Sequence, residues 1–424
     1  MTDAAASGFR GLGRTEVVRD DELVPVDAHR DRLIRELHPL EPIELGLADV
    51  LGLVLAEDVV AEEAYPPFTS SAMDGYAVVA ADTQAATGDD PVRLRVVGEA
   101  AAAPGDVQAV GPGTALRIMT GAQVPEGADA VVPVELTRES AGEVTIHAPA
   151  TPDDNVRPAG TDLRVGQVVL RRGRRLRPGD IAVLATLGRT RVHCHPRPRV
   201  VVLSTGSELL PADQALVPGA LRDSNGPMLT ALLRQAGAVT FWAGIVRDDR
   251  RSLLDAFDSN IGHADLFVTT GGVSAGAHDH VRDVLDRLGE AHHTKVGMKP
   301  GMPQLFGRAR GVPVLGLPGN PVSAFVSFEV FVRPVIRRLQ GRTDLFRPTV
   351  QARLEGGGAT YPAKRHFLRV SLRRDEHGWV AQPAAHQGSH QVGALVEADG
   401  LAELPEGATV GAGDTVRVHL LIDP

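Results

Sequence analysis

The sequence predicts a multidomain protein of mixed class, with a parallel-sheet α/β domain set between small β domains. Three observations predict it. The chain has 424 residues, more than one hydrophobic core serves, so three or four domains are expected. From Arg199 to Leu339, short β-branched runs alternate with helical patterns, which implies a parallel sheet covered on both faces. At 92–149, and again beyond Pro348, short β-type runs are parted by turn residues.

Taken in order, residues 26–37 place Val26, Leu33, Ile34 and Leu37 at helical spacing and stop before Pro39. A second helix is expected over 47–55, with extended chain leading to Pro66 and Pro67. Strands at 92–97, 115–119, 130–134 and 144–146 are separated by breakers such as Pro104-Gly105 and Gly111-Pro112-Gly113, which describes a small β domain. Strands at 200–203, 239–246, 265–270 and 312–317 then alternate with helices at 227–236, 250–257 and 280–288. A final helix covers 322–339, with Pro334 expected to kink it. Runs at 350–354, 367–372, 379–382 and 415–421 give a second small β domain. Pro196-Arg197-Pro198 and residues 341–348 are the natural boundaries.

Hydrophobic residues make up 43% and charged residues 23%, an ordinary globular balance. A net charge of -9 argues against nucleic-acid binding, which needs a basic footprint. The single cysteine, Cys194, excludes an internal disulfide and a Cys-rich zinc site and fits a reducing cytoplasm. Residues 1–22 hold no apolar stretch able to act as a signal peptide, and no run reaches membrane-spanning length. Only three of the 44 basic residues are lysines, Lys295, Lys299 and Lys364. Lysine kept against such a bias marks places where a compact ammonium is wanted instead of a planar guanidinium.

Three loops leave the C-terminal ends of expected parallel strands: 204–208, 270–276 and 317–323. Ligands of open α/β sheets bind outside those ends, and glycines there let backbone N–H groups approach a phosphate. One such loop is usually only a turn; three on one sheet are more specific. Neither a P-loop nor a Gly-x-Gly-x-x-Gly fingerprint is present. Acids gather around the loops: Glu208, Asp248, Asp249 and Asp279. Carboxylates beside a phosphate need a bridging hard cation such as Mg²⁺. The plainer alternative is helix capping, favoured for Asp249, whereas Glu208 and Asp279 favour a site. Lys295 and Lys299 would supply positive charge for an oxyanion. In the first half, 71–77, 117–122 and 160–162 read on spacing alone as turns. The 15 histidines show no specific metal-ligand spacing, and no Gly-x-Ser-x-Gly elbow supports a serine hydrolase.

Taken together, Ser-Ala-Met-Asp-Gly-Tyr-Ala at 71–77, Arg-Ile-Met-Thr-Gly-Ala at 117–122, Gly-Ala-Asp-Ala-Val-Val at 127–132, Ser-Thr-Gly-Ser-Glu-Leu at 204–209, Gly-Gly-Val-Ser at 271–274 and Leu-Pro-Gly-Asn-Pro-Val-Ser at 317–323 resemble the MoeA family of molybdopterin molybdenumtransferases. The C-terminal region of gephyrin is similar. The resemblance runs from about Val24 to the end. It implies four domains: a discontinuous linker-like domain at 20–65 and 157–196, a β domain inserted at 66–156, an α/β molybdopterin-binding domain at 197–342, and a C-terminal β barrel at 343–424. It also implies a homodimer whose sites join the α/β domain of one subunit to the β domain of the other. The implied reaction turns adenylylated molybdopterin and molybdate into molybdenum cofactor and AMP with Mg²⁺.

By the same resemblance, Asp74, Glu208, Asp248, Asp279, Lys295 and Lys299 are the catalytic set, with Asp74, Glu208 and Asp279 toward the metal. Thr120, Asp162, Thr205, Gly206, Gly271, Gly272, Ser274, Pro318, Pro321, Arg369 and Ser389 are the substrate-binding set. The implied partners are a molybdopterin adenylyltransferase and the molybdoenzymes served, with no nucleic acid and no membrane.

Two departures stand out. Met302 replaces the second lysine of the family's Lys-Pro-Gly-Lys-Pro, and His280 follows Asp279 where tyrosine is common. A methionine cannot donate to an oxyanion, so a binding-only or altered-specificity paralogue is a rival reading, and a molybdopterin adenylyltransferase is another.

Overall fold

A computed structural model describes residues 23–273, 280–356, 358–359 and 363–421. It separates into two compact units, one holding Glu44–Cys194 and the other the described chain on either side of it.

In the first unit the two outer stretches pair with each other. Strand Val168–Leu170 runs antiparallel to Val59–Val60, and Tyr65 bridges to Leu163. Leu53, Leu55, Leu176, Leu184 and Val192 bury together here. No helix forms over 47–55. Gly52 takes a left-handed φ of 79°, and backbone bonds go across to the second stretch instead, Leu55 N–H to Arg174 O and Leu176 N–H to Leu53 O, both 2.9 Å. A helix the sequence reading did not foresee, Pro178–Thr186, follows, with Asp180 accepting from the Arg177 N–H at 2.9 Å. Between the stretches lies a six-stranded sheet in the order Ala130–Pro133, Gly75–Val78, Thr114–Ile118, Val92–Ala100, Glu143–Ile146, Thr137–Ser140. Gly75–Val78 is thus a buried strand where a loop was expected. Its neighbours approach so closely that a Cβ on Gly75 would sit 2.0 Å from Val132 O.

The second unit is built on a sheet of β1 (Arg199–Thr205), β2 (Val239–Val246), β3 (Leu266–Thr270), β4 (Gly289–Lys295), β5 (Pro303–Ala309) and β6 (Val312–Leu317). The spatial order is β2-β1-β3-β6-β5-β4. β2, β1, β3 and β6 are parallel, as expected for strands alternating with helices, whereas β5 runs against them and pairs antiparallel with β6 on one side and with β4 on the other. The sheet is therefore mixed, a correction to the wholly parallel reading. A two-residue turn makes the reversal between β5 and β6, with Arg310 at φ 47° and Gly311 at φ 89°. Helices Asn225–Gln235, Arg250–Asn260 and His280–Leu288 cover the sheet. The expected kink at Pro334 takes the form of a π-helical turn, Phe328–Val332, between helices Pro321–Ser327 and Arg333–Leu339. Proline offers no N–H to residue 330, so the ladder widens just before it.

Helix Val26–Glu36 was grouped by sequence with the linker-like stretch. Its Val26 and Leu33 instead bury in the core formed by β1, β3 and helix residues Val332, Val335 and Ile336.

Beyond Pro348, strands Thr349–Leu354, Arg365–Asp375, Gly378–Pro383, Gly400–Leu404 and Thr415–Leu420 close on themselves, because Arg365–Asp375 pairs with both Gly378–Pro383 and Gly400–Leu404. This is a five-stranded barrel without free edges. Its link to the α/β core is charged. Arg347 grips the buried Glu329 with two bonds of 2.9 and 3.0 Å, and Arg365 reaches Asp27 and Glu403 at 2.9 Å each.

Candidate active site

Because β1, β3 and β6 are adjacent and parallel, their C-terminal ends share one edge of the sheet. The loops that leave them surround a cavity of about 690 Å³. Of the residues expected there, Thr205, Gly206, Glu208, Asp248, Gly271, Gly272, Pro318 and Pro321 all line it. Glycine is obligatory at two of these places. Gly271 has φ 89° and a Cβ on it would lie 2.2 Å from Thr205 O, while Gly272 has φ 65° and its Cβ would meet the Val281 side chain at 2.6 Å. Gly206 has a different task. The Glu208 carboxylate folds over it, and a Cβ there would be 2.8 Å from both carboxylate oxygens. Asp249 is the N-cap of helix Arg250–Asn260, accepting from Ser252 N–H at 2.9 Å, while Asp248 beside it faces the cavity.

The sequence reading missed Arg222, Asp223, Asn225 and His390, which line the same cavity. Asp223-Ser224-Asn225 before a helix carries the ordinary capping signature and gave no separate signal. Asp223 Oδ1 does accept the N–H groups of Asn225 and Gly226 at 2.9 and 3.0 Å.

The barrel domain supplies one wall. Ser389 O accepts the Val322 N–H at 3.1 Å, and its hydroxyl meets the Asn320 amide at 3.3 Å. Arg369 is fully buried, and its Nη2 donates to His386 O at 3.1 Å and Gly388 O at 3.4 Å. Among the described residues its Nε and Nη1 have no hydrogen-bond partner, and burial pulls its pKa down to about 10. Lys299 pairs in register with His366. Burial, then the charges of Lys299 and Arg369, push the His366 imidazole down to about 4. Lys295 pairs in register with Pro303 at the mouth of the β4–β5 hairpin. Pro303 lines the cavity; neither lysine is among its lining residues. Ser274 and Asp279 lie outside the described residues.

In the other unit, two motifs that read as separate turns are joined. Thr120 donates its N–H and its hydroxyl to Asp74 Oδ1, at 2.7 Å each. These bonds hold the exposed Asp74 carboxyl below its usual range. Asp162 is exposed, with its own N–H donated to Tyr65 O at 3.0 Å. Among the described residues no group of three or more His, Cys, Asp or Glu side chains is arranged to hold a metal ion.

A mixed α/β sheet with a glycine-lined cavity at its strand ends, joined to a closed barrel and a β-rich unit, defines a multidomain small-molecule enzyme class, and residues 201–338 match the family model of a probable molybdopterin binding domain. Residues 24–188 match the MoeA N-terminal region, domains I and II, and residues 351–421 the MoeA C-terminal region, domain IV. The chain belongs to the MoeA family. It is 41% identical over 400 residues to molybdopterin molybdenumtransferase 2 of Mycobacterium tuberculosis, covering 93% of this chain and 98% of that one. It is 34% identical over 406 residues to the Staphylococcus aureus molybdopterin molybdenumtransferase, covering 95% and 97%. A crystal structure of the molybdopterin biosynthesis MoeA protein from Pyrococcus horikosii superposes with a TM-score of 0.82 at 32% identity, over 95% of this chain and 100% of that one.

Proposed function

We propose that this chain carries out molybdenum insertion in molybdenum cofactor biosynthesis, joining molybdate to adenylylated molybdopterin and releasing AMP. The observation that carries this reading is the cavity of about 690 Å³ ringed by three strand-end loops. Its glycine backbone suits a phosphate-bearing ligand. The two thiols of the dithiolene displace two molybdate oxygens as two waters, taking up two protons. One water cleaves the pyrophosphate to two phosphate monoesters, returning two protons, so the reaction balances with a net release of one water.

The oxygen-only donors fit a hard cation: Glu208 is held over Gly206 and Asp248 faces the same space. Glu208, with Asp74 and Asp279, would hold Mg²⁺, which when bound offsets charge on the pyrophosphate. Thr205, Gly206, Gly271, Gly272, Ser274, Pro318 and Pro321 position the phosphates and pterin. Arg369, Ser389, Lys295 and Lys299 attract the molybdate oxyanion, and buried donors already fixed in place cost little reorganisation on binding. The reading takes the protein as a cytoplasmic homodimer, a second copy contributing Asp74, Thr120 and Asp162 to each site. It hands its product to molybdoenzymes and receives substrate from an adenylyltransferase. Among the described residues no helix is long and apolar enough to cross a membrane.

AMP release from adenylylated molybdopterin with Mg²⁺, followed with and without molybdate, tests the reaction. Molybdate-dependent release supports it; pterin binding with no release sinks it. That second outcome would favour a binding-only paralogue, for which the methionine at position 302 is the specific observation.

A further inference from the structure

We propose that Asn225 is a positioning residue that sets the width of the cavity by stitching two of its loops to the start of the helix it opens, a proposal that rests on the nucleotide reading of the cavity. Asn225 opens helix Asn225–Gln235 and is only 7% exposed. Its Nδ2 donates to Thr270 Oγ1 at 2.8 Å and to Gly319 O at 2.7 Å. The Thr270 hydroxyl passes on to Pro318 O at 3.3 Å. One carboxamide therefore ties the helix start to the end of β3 and to the loop after β6. Asp223 fixes the backbone that carries that carboxamide, accepting the N–H groups of Asn225 and Gly226.

The orientation of the amide follows from its partners. Gly319 O can only accept, so the NH₂ end must face it. Asn225→Asp keeps the volume but sets an acceptor against that carbonyl, and Asn225→Ala removes the link without repulsion. Protonating the new carboxyl gives it an O–H to donate, so acid restores one bond in Asn225→Asp and none in Asn225→Ala. Glu208, Arg222, Asp223, Asp248 and His390 face the same cavity and are common to both variants, so the difference between the two profiles isolates the introduced group.

The test is calorimetric titration of the full chain with AMP in Mg²⁺, from about pH 8 to about pH 5. Asn225→Ala should weaken AMP by about tenfold throughout, the size of one such bond lost. Asn225→Asp should be weaker still at the alkaline end and overtake Asn225→Ala at the acid end. Thr270→Val, a milder change, should weaken AMP by a few-fold and be non-additive with Asn225→Ala. Parallel profiles for the two Asn225 variants, or wild-type affinity in either, overturn the proposal. Failure of the wild type to bind AMP overturns the nucleotide reading instead. The stitch is then judged by amide exchange at 270–273 and 317–320, which must quicken in Asn225→Asp at constant pH; unchanged exchange overturns it.

Discussion

Thr120 gives both its backbone N–H and its hydroxyl to a single oxygen of Asp74, each at 2.7 Å. The pair joins residues from two motifs that the sequence alone leaves as unrelated turns, and it keeps Asp74 ionised with its other oxygen available. The backbone bond is the larger cause of the lowered Asp74 pKa and the hydroxyl the next. A carboxyl whose folded pKa is depressed adds stability above its unfolded pKa, and that stability is lost as pH falls through the folded value. Thr120→Val keeps the first bond and loses the second. Its Asp74 should titrate closer to 3.8, the ordinary value, when followed by NMR, and the acid end of its stability profile should flatten. An unmoved Asp74 titration would refute the role given to the hydroxyl.

Gly206→Ala separates function from folding. The atoms nearest to the new Cβ would be the movable carboxylate end of Glu208, at 2.8 Å from each oxygen. The side chain can swing away, so thermal stability should change by less than about 0.5 kcal/mol. Divalent-cation affinity, measured by Mn²⁺ relaxation, should fall by about tenfold as Glu208 leaves the cavity. A large loss of stability, or unaltered Mn²⁺ binding, would count against the cradle.

Much of the α/β domain was legible from its alternation of apolar runs and helical patterns: the largely buried β6, the helix His280–Leu288 and even the more exposed edge strand β2 start and stop where the residues say they should. The hairpin of β4 and β5 was not, since Gly289–Lys295 carries glycine, glutamate and two histidines and owes its strand state to tertiary pairing. The helix expected at 47–55 failed for the same reason, its backbone partners lying more than a hundred residues away at 173–176. At the site, glycine-rich strand ends announced themselves, whereas Asn225 did not. A buried asparagine at a helix start looks in sequence like any capping residue, and only the positions of Thr270 and Gly319 reveal its other task.

Met302 is half-buried, and what it contributes to the fold is its backbone carbonyl, which accepts the Val296 N–H at 2.8 Å. Met302→Lys leaves that bond intact and adds a cation in the segment that holds Lys299. The molybdate concentration for half-maximal AMP release should fall by roughly tenfold, the worth of one charge-assisted bond. If the rate curve is unmoved, this position takes no part in oxyanion binding.

Asn155 holds the Asp74 loop from outside the sheet. It sits at φ 55°, its carbonyl accepts the Ala72 N–H at 2.8 Å, and its side chain donates to Val131 O at 2.9 Å. Asn155→Val puts a branched side chain in the left-handed region and removes the side-chain bond, so chemical denaturation should show a loss of about 2 kcal/mol. Asn155→Gly relieves the backbone and should lose about 1 kcal/mol, the bond alone. Equal losses would mean that the conformation of the backbone is not what asparagine supplies.

Arg369 offers the opposite balance to test, a buried cation whose cost to stability the proposed molybdate binding would offset. It is fully buried, Nε and Nη1 have no hydrogen-bond partner among the described residues, and desolvation lowers its pKa to about 10. The charged form is thus less favoured folded than unfolded. That penalty is present at every pH below the folded value and fades only as pH climbs from there toward the unfolded one. Arg369→Met removes the buried charge and fills similar space, and should raise the stability of the ligand-free protein by about 1 kcal/mol or more. Molybdate should raise the melting temperature of the wild type, and the same change should abolish that rise, because stabilisation by a ligand disappears with its binding. The two shifts must occur together. A destabilised variant would mean the guanidinium is structural, held by His386 and Gly388, and an undiminished molybdate effect would place the oxyanion elsewhere.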